Sequence, residues 1–241
     1  MINKKLGVNI DHVATVRNAR GENYPDPLTA ALICEKFGAN SVTIHLREDR
    51  RHIRDIDLHK IKKKLKIPLN LEMAPTFEML KIAKKYKPNY VCIVPEKRKE
   101  VTTEGGLNLK KNKKKIKKII SSLRKSKIRV SLFIEPNIRD VKLAKKLGSN
   151  CVELHTGKYC NFDNKRMNTN KLYNNLKKSA KCAKYLGLEV HAGHGLTYKS
   201  VKKISFINEI SEFNIGHFII SESLFIGLGN VIKKFKKIIK I

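Results

Sequence analysis

Side chains that can transfer protons follow several short apolar runs of this 241-residue chain. Asp11 and His12 come directly after the run LGVNI, within the stretch NIDHVATVRNARG. His45 lies in a second such run, SVTIHL, and Glu72 in a third, LNLEMA. Histidine titrates near neutral pH, and burial can raise the pKa of a carboxylate toward the same range. These residue types therefore predict general acid/base chemistry.

Histidines concentrate where the apolar runs end. Seven of the eight lie at or just after the end of a predicted strand, namely His12, His45, His52, His155, His191, His194 and His217, and only His59 does not. Glu96 with Arg98 follows a fourth run, and Glu153 lies in a sixth. The packing of a barrel needs no such concentration of polar groups, so the set indicates one active site. The chain has no HExxH motif, and His191 with His194 is a poor ligand pair, so we expect no metal.

Sites for anions are also indicated. Arg20 and Arg47 can each offer paired donors to a phosphate, and glycines in AGHGLT (Gly193, Gly195) and NIGH (Gly216) allow backbone N–H groups to approach an oxyanion. The stretch from Thr102 to Leu107, TTEGGL, is typical of a loop that closes over a site.

The elements that must position these side chains alternate along the chain. Eight predicted strands cover Leu6–Asp11, Ser41–Leu46, Leu69–Ala74, Tyr90–Pro95, Arg129–Ile134, Cys151–Thr156, Leu188–Ala192 and a segment within Phe213–Ser221. Helical patterns separate them. The α/β order predicts a single TIM barrel, (β/α)₈, with a parallel eight-stranded core and some extra helices, over one domain, residues 1–241. An open doubly wound sheet is the alternative.

Several details of this arrangement can be stated in advance. Asp26 and Pro27 begin a helix that ends at Gly38, and Arg17 and Arg20 are expected in the loop after the first strand. The repeat between FGANSVTIHLR and LGSNCVELHTG would place strands two and six opposite each other. The last strand is either FNIG or HFIIS, and a phosphate site at the start of a following helix favours FNIG.

The net charge of 52 − 21 = +31 raises nucleic acid or a membrane surface as a partner. Most of the excess is lysine spread along the chain, a pattern that a drifting coding sequence also produces, and the densest run, Lys110–Lys118, has no aromatic residues. We interpret that run as a solvated helix face. The five cysteines lack metal-binding spacing, and the chain shows neither a long apolar span nor a secretory signal. We therefore expect a cytoplasmic protein. We also expect it to bind neither nucleic acid nor membrane.

Seven ordered motifs then carry a resemblance along the whole chain. They are NIDHVATVRNARG, TIHLREDRRHI, NLEMA, VPEKRKEVTTEGGL, VELHTG, AGHGLTY and NIGH. In this order they closely resemble the pyridoxine 5′-phosphate synthase family. The resemblance implies a (β/α)₈ barrel that assembles as a homo-octamer and needs no cofactor. It implies the condensation of 1-deoxy-D-xylulose 5-phosphate with 3-amino-2-oxopropyl phosphate to pyridoxine 5′-phosphate, phosphate and water.

The resemblance also implies roles for individual residues. His45 and Glu72 would accept protons, His194 would donate one, and Glu153 would stabilise transition states. Asn9, Arg20, His194, Gly216 and His217 would bind the amino-ketone phosphate, and Asp11, His12, Arg47, His52 and Thr102 the deoxyxylulose phosphate. Gly195 would also bind substrate. The chain departs from the family pattern at His191, where Asn is expected, and at Ser221-Glu222, where Ser-Arg or Gly-Arg is expected.

Two other functions remain open at this stage. One is a different isomerase or lyase that acts on a single sugar phosphate in the same kind of barrel. The other is a nucleic-acid-binding protein that depends on the lysines. The first predicts turnover of one phosphorylated ketose alone, and the second predicts binding that weakens steeply with salt.

Overall fold

The computed structural model describes residues 4–96 and 105–239 and shows a closed barrel of eight parallel strands. The strands are β1 (Lys5–Asn9), β2 (Ser41–His45), β3 (Leu69–Met73), β4 (Tyr90–Ile93), β5 (Arg129–Ile134), β6 (Cys151–His155), β7 (Glu189–Gly193) and β8 (Glu212–Ile215). Each pairs with its sequence neighbours, and β8 closes on β1 through Leu6 opposite Phe213. The predicted barrel is confirmed, and the open sheet is wrong.

Helices in the described ranges surround the barrel or extend its loops. They are α1 (Asp11–Arg20), α2 (Pro27–Lys36), α3 (Asp55–Lys64), α4 (Phe77–Tyr86), α5 (Lys113–Lys125), α6 (Ile138–Leu147), α7 (Gly157–Asn164), α8 (Asn170–Tyr185), α9 (Tyr198–Ile204), α10 (His217–Ile226) and α11 (Leu228–Ile239). More than eight helices are present, as expected. Within the parts of the chain that the structure describes, no helix is both long and apolar enough to cross a bilayer.

Local sequence explains most of the element ends. Asp26 caps α2 by accepting hydrogen bonds from the backbone N–H groups of Leu28 and Thr29, and Pro27 occupies the first turn, as predicted. The last strand is β8, which contains FNI, and HFIIS opens α10, so the alternative strand is wrong. The expected loop position of Arg17 and Arg20 is wrong, because α1 begins almost directly after β1 and contains both residues.

Lysine-rich segments form solvated helix faces. In α5, Ile116, Ile119, Ile120 and Leu123 are buried, and lysines occupy the remaining positions of its first two turns. The interpretation of this run as a solvated helix face is confirmed from Lys113 onward, whereas residues 110–112 form a turn before the helix. The helix therefore packs on the barrel through its buried isoleucines and leaves its lysines in solvent.

The barrel has an apolar outer layer and a polar interior. Leu6 and Val8 in β1 are fully buried in the hydrophobic core beneath the helices. Alternate positions point inward, where Ser41 donates a hydrogen bond to Glu212 and Asn70 donates one to Thr43. The strands therefore carry polar side chains through the barrel interior as well as at its carboxyl end.

Candidate active site

The carboxyl ends of the strands bring six of the eight histidines together in three pairs. Ring centroids are 5.1 Å apart for His12 and His217, 5.9 Å for His45 and His52, and 5.0 Å for His155 and His194. These residues come from β2, β6 and the segments after β1, β2, β7 and β8. Parallel strands place their carboxyl ends at one face of a barrel, so histidines that follow different strands in the sequence lie close together in the structure.

Asp11 joins the ends of β1 and β2. Its Oδ2 accepts a hydrogen bond from Asn9 Nδ2 at 2.8 Å, and its Oδ1 accepts one from the backbone N–H of His45 at 2.8 Å. The Asp11 backbone N–H donates to Asn9 Oδ1 at 2.9 Å. The opening stretch therefore fixes the backbone that presents His45, in addition to any contact it makes with a ligand.

His45 faces Glu96, a carboxylate that the sequence placed at a strand end but for which the family resemblance implied no role. Its Nε2 lies 3.4 Å from Oε2 of Glu96, and both side chains are buried. Glu96 Oε1 accepts a hydrogen bond from the backbone N–H of Glu48 at 2.9 Å and lies 4.0 Å from Nη2 of Arg47. Burial acts to raise the pKa of Glu96, but His45 and Arg47 hold that pKa below its usual value. Glu96 is thus an anion that can orient both His45 and Arg47.

Glu72 and Glu153 form a coupled pair inside the mouth. Burial, and then the charges of Glu153 and Asp11, raises the pKa of Glu72 well above its ordinary value. Burial also raises the pKa of Glu153, but His191 and a 2.7 Å hydrogen bond from Asn214 Nδ2 oppose that rise. Burial thus raises the pKa of both carboxyl groups, and more strongly that of Glu72, which makes Glu72 the stronger base of the two. A carboxylate with a raised pKa suits a proton acceptor.

His194 is held in an unusual backbone conformation. Its φ of 81° lies in the left-handed region, which costs a non-glycine residue about 1–3 kcal/mol. Thr156 stabilises this turn, because its Oγ1 lies 2.8 Å and 2.6 Å from the carbonyl oxygens of Gly193 and His194. Burial, followed by repulsion from His155 and His217, lowers the pKa of His194 to about 4. Without a bound anion, His194 is therefore a neutral imidazole at neutral pH.

Glu135, which directly follows β5, is a site residue that the sequence analysis did not single out. Its Oε1 lies 2.9 Å from Nδ1 of His155 and accepts a hydrogen bond from the backbone N–H of Gly106 at 2.8 Å. A cleft of ≈ 570 Å³ opens beside it, lined by Glu135, His155, Gly157, Lys158, Cys160, Asn161, Asn164, His194 and Gly195. Glu135 directly follows a predicted strand, so the rule that selected Glu96 would also have found it.

The start of α10 lies beside Asn9. A Cβ on Gly216 would lie 3.0 Å from Cβ of Asn9, so glycine permits this close approach. His217 opens α10, whose first turn contains no acidic residue, and Glu222 lies in the second turn, where it interacts with Tyr198. The helix N-terminus can thus accept an anion, and the departure at Glu222 does not place a carboxylate in its first turn.

The remaining candidates have different positions. Arg47 is buried, and Gly195 is exposed. His12 and His52 are half-buried, and burial lowers the pKa of both histidines. Arg20 is exposed in the last turn of α1, which places it about 13 Å along the helix from Asp11. His191 is not at a strand end but in the middle of β7. Thr102 and the first half of the TTEGGL loop lie outside the described residues, as does Arg98.

Two groups of side chains have ligand-type atoms within 4.8 Å of one another, namely Asp11, His45 and His52, and Glu189, His191 and Glu212. Asp11 already accepts two hydrogen bonds, and Arg47 adds a positive charge near the first group. In the second group, His191 pairs with the carboxylates. Neither arrangement requires an ion, and the expectation that no metal takes part stays a prediction.

The closed (β/α)₈ barrel, with paired histidines, two carboxylates and the start of a helix at its mouth, has the architecture of a TIM-barrel enzyme. Residues 6–241 match the family described as "Pyridoxal phosphate biosynthesis protein PdxJ". The chain belongs to this family, which confirms the resemblance found in the sequence and the expected synthase function in vitamin B6 biosynthesis.

Similar proteins agree with this membership. The chain is 60% identical to a pyridoxine 5′-phosphate synthase of Pelagibacter ubique (strain HTCC1062), over 98% of each chain. It is 52% identical to one of Zymomonas mobilis, over 96% of this chain and 90% of that protein. A crystal structure of phosphoribosylanthranilate isomerase from Thermotoga maritima is similar with a TM-score of 0.59 and 16% identity, over 98% of each chain. That last similarity shows the barrel fold alone.

Proposed function

We propose that residues 1–241 form a single catalytic domain that condenses 1-deoxy-D-xylulose 5-phosphate with 3-amino-2-oxopropyl phosphate. The products are pyridoxine 5′-phosphate, inorganic phosphate and water. The observation that carries this proposal is the coupled Glu72 and Glu153 pair within a mouth lined by three histidine pairs. Ring formation from an amine and two ketones requires several proton transfers at one site, and each is worth about 10²- to 10⁴-fold in rate.

The proton-transfer roles follow from the local environments. Glu72 and His45 accept protons, because the pKa of Glu72 is raised and His45 lies against the anionic Glu96. Glu153, which Asn214 Nδ2 holds through a hydrogen bond, stabilises developing positive charge. His194 donates a proton once a phosphate binds nearby, because a dianion raises the pKa of an adjacent imidazole. This order of events lets a single histidine stay neutral in the free enzyme and act as a proton donor in the complex.

Two dianionic substrates require two anion sites. The amino-ketone phosphate occupies the start of α10, in contact with Asn9, His194, Gly195, Gly216 and His217. The deoxyxylulose phosphate lies nearer α1 and β2, in contact with Asp11, His12, Arg47, His52 and Thr102. Arg20, assigned to the first phosphate through the family resemblance, lies at the far end of α1 and is the least supported member of the set.

The decisive experiment supplies both substrates together and each one alone, and follows phosphate release and product mass. The pyridoxine product only with both substrates supports the condensation, whereas turnover of one substrate alone indicates another barrel isomerase or lyase. Glu72→Gln and His194→Asn should each abolish turnover without unfolding the protein. Glu78→Gln and His59→Asn are matched controls, because Glu78 is exposed on α4 and His59 packs on Tyr86 outside the mouth. Near-normal activity in both site variants contradicts the assignment.

We also propose that the protein is cytoplasmic and self-associates, as a homo-octamer in line with the family resemblance. Residues 6–35 and 204–232 contain no lysine, although the chain has 41. Helices α1 and α10 from these segments pack together and expose Val16, Leu224 and Phe225, the last with 83% of its surface accessible. A lysine-free apolar face lets two +31 chains approach without strong repulsion.

The mass in solution tests self-association. Light scattering should give a multiple of 27.6 kDa, and assembly should weaken at low ionic strength, where charges are poorly screened. Phe225→Asp should reduce the mass, and Tyr185→Asp should not, because Tyr185 is 90% exposed on α8, where lysines surround it. A monomer mass for the unaltered chain contradicts self-association. An unchanged mass for Phe225→Asp would show that the interface between chains lies on another surface.

A further inference from the structure

A buried histidine beside the candidate proton donor takes no part in the proposed reaction. His155 ends β6, and its side chain is 6% exposed. The centroid of its ring lies 5.0 Å from that of His194 and 5.1 Å from that of Phe133, with the rings edge to face in both pairs. Such pairs depend on the angle between the rings, so His155 restricts the directions in which the imidazole of His194 can point.

Gly157, the first residue of α7, lets the two imidazoles come close. A Cβ on this residue would lie 2.6 Å from Nε2 of His155 and 2.7 Å from Cδ2 of His194. Both distances are shorter than real contacts of a Cβ, so any larger residue would displace one of the rings. Thr156 holds the backbone of His194, because its Oγ1 lies 2.6 Å from the His194 carbonyl oxygen. The end of β6 and the start of α7 therefore support both the ring and the backbone of His194.

Glu135, directly after β5, fixes the orientation of His155. Its Oε1 lies 2.9 Å from Nδ1 of His155, and this hydrogen bond lowers the pKa of Glu135, which is therefore ionised at neutral pH. A carboxylate can only accept hydrogen bonds, so Nδ1 carries the proton between them. Such a contact fixes both the ring and its tautomer. Nε2 has no hydrogen-bond partner among the described residues, so no second contact there competes with Glu135 for the ring.

The charges around the imidazole pair, His155 and His194, give Glu135 a second effect. Three titratable groups of the surrounding elements also act on the pair or on Glu135, namely Glu153 on β6, Lys158 on α7 and His217 at the start of α10. Adjacent imidazoles repel each other when both carry a proton, so a positive charge on one of them is stabilised by a nearby anion. Glu135 supplies that anion at hydrogen-bond distance from His155, and Lys158 opposes part of the effect.

We propose that Glu135 and His155 are positioning residues for the synthase reaction: Glu135 orients the ring of His155, and His155 holds the imidazole of His194 in the direction in which it donates its proton. The inference rests on the proposed function, in which His194 is the proton donor. Glu135 and His155 act on the reaction through His194. Loss of the Glu135 charge would also make a proton on the imidazole pair less favourable, so His194 in the substrate complex would lose its proton at a lower pH.

The first test is Glu135→Gln, which keeps the shape of the side chain and removes its charge. The kcat should fall about 10-fold while KM for each substrate changes less than about twofold, since the substrate contacts remain. The alkaline limb of the kcat profile should move to lower pH by about 0.5 unit, a small shift because the Glu135 side chain is 45% exposed and solvent screens its charge. Asp140→Asn is the matched control, because Asp140 lies in the first turn of α6 and bonds to Asn137. It should change neither kcat nor the profile.

A double variant separates positioning from a general loss of charge. His155→Phe keeps a ring against His194 but has no nitrogen for Glu135 to hold. If Glu135 acts through His155, then Glu135→Gln/His155→Phe should have the kcat of His155→Phe alone. Additive losses overturn the proposal, as does a kcat profile that is the same in Glu135→Gln as in the unaltered enzyme. Should His155→Phe fail to fold, Glu135→Gln still decides.

A measurement that does not depend on turnover accompanies these assays. In protein labelled with ¹⁵N-histidine, Nδ1 of His155 should carry a proton at pH 7.5. Its signal is identified by its loss in His155→Phe or by its shift in Glu135→Gln. An unprotonated Nδ1 overturns the proposal, because a carboxylate cannot donate a hydrogen bond to it. An unaltered protein that has a protonated Nδ1 but forms no product refutes the proposed function instead.

Discussion

Replacing Arg17 by Met should destabilise the protein strongly, because it breaks a buried ion pair between α1 and α3. Arg17 Nη1 lies 2.7 Å from Oδ1 of Asp57, and Nη2 donates to Oδ2 at 2.9 Å. The two side chains are 6% and 4% exposed. Removing one partner leaves an uncompensated buried charge, which costs about 3–5 kcal/mol of unfolding free energy. For a chain of this length, each kcal/mol lowers Tm by about 2–4 °C.

The same pair also supports the active site. Arg17 Nη2 donates to the carbonyl oxygen of His52 at 3.2 Å, and Asn18 Nδ2 donates to the same oxygen at 2.8 Å. Asp57 in turn accepts a hydrogen bond from the backbone N–H of Arg54 at 2.8 Å, which caps α3. Arg17→Met should therefore raise KM for the deoxyxylulose phosphate as well, because the segment that carries His52 loses one of its anchors.

Urea unfolding of four proteins measures the coupling. The unaltered chain, Arg17→Met, Asp57→Leu and the double variant form a double-mutant cycle. Both single variants should be strongly destabilised, and the double variant should regain much of the loss, because removing both buried charges is often nearly neutral. Lys203→Met is the control at about 0–1 kcal/mol, since Lys203 is half-exposed and Lys199 remains 3.3 Å from Oδ2 of its partner Asp163 after the change. Single variants that cost less than about 1 kcal/mol, or an additive double variant, would refute the reasoning.

Three further results are expected. Gly193→Ala should lower kcat and cost about 1–3 kcal/mol of stability, because the added Cβ would lie 2.1 Å from Oε1 of Glu153. Urea unfolding and steady-state kinetics measure the two effects, and an unaffected kcat contradicts the prediction. The pKa of His194 is lowered from 6.5 to about 4 in the folded state, so its contribution to stability is present above pH 6.5 and is lost as pH falls toward 4. His194→Asn should therefore show a shallower decline in urea midpoint over that range, and parallel curves count against the lowered pKa. A thiol reagent at neutral pH should label half-buried Cys182 well before Cys92, whose pKa burial raises strongly, and equal rates by mass spectrometry would argue against that burial.

Local sequence was sufficient for the elements and for most of their ends. β-branched runs of about five residues between amphipathic helices have few ways to pair, and eight of them close most simply as a barrel. Asp26-Pro27 and Asn9-Ile10-Asp11 act through neighbouring residues, so their effects are visible in the chain itself. The expected loop after β1 was wrong because α1 is tied to α3 by Arg17 and Asp57, a contact between residues 40 positions apart.

Residue types and strand ends were enough to find the histidines, since a parallel barrel turns strand ends into one surface. Only the tertiary structure decided which groups interact across that surface. Three features depend on burial and on strands far apart in sequence, namely the partnership of His45 with Glu96, that of His155 with Glu135, and the raised pKa values of Glu72 and Glu153. The place of His191 inside the barrel, rather than at its mouth, follows from the register of β7 between β6 and β8. A shift of one residue in that register would turn the side chain to the opposite face of the sheet, and no local pattern in the sequence specifies it.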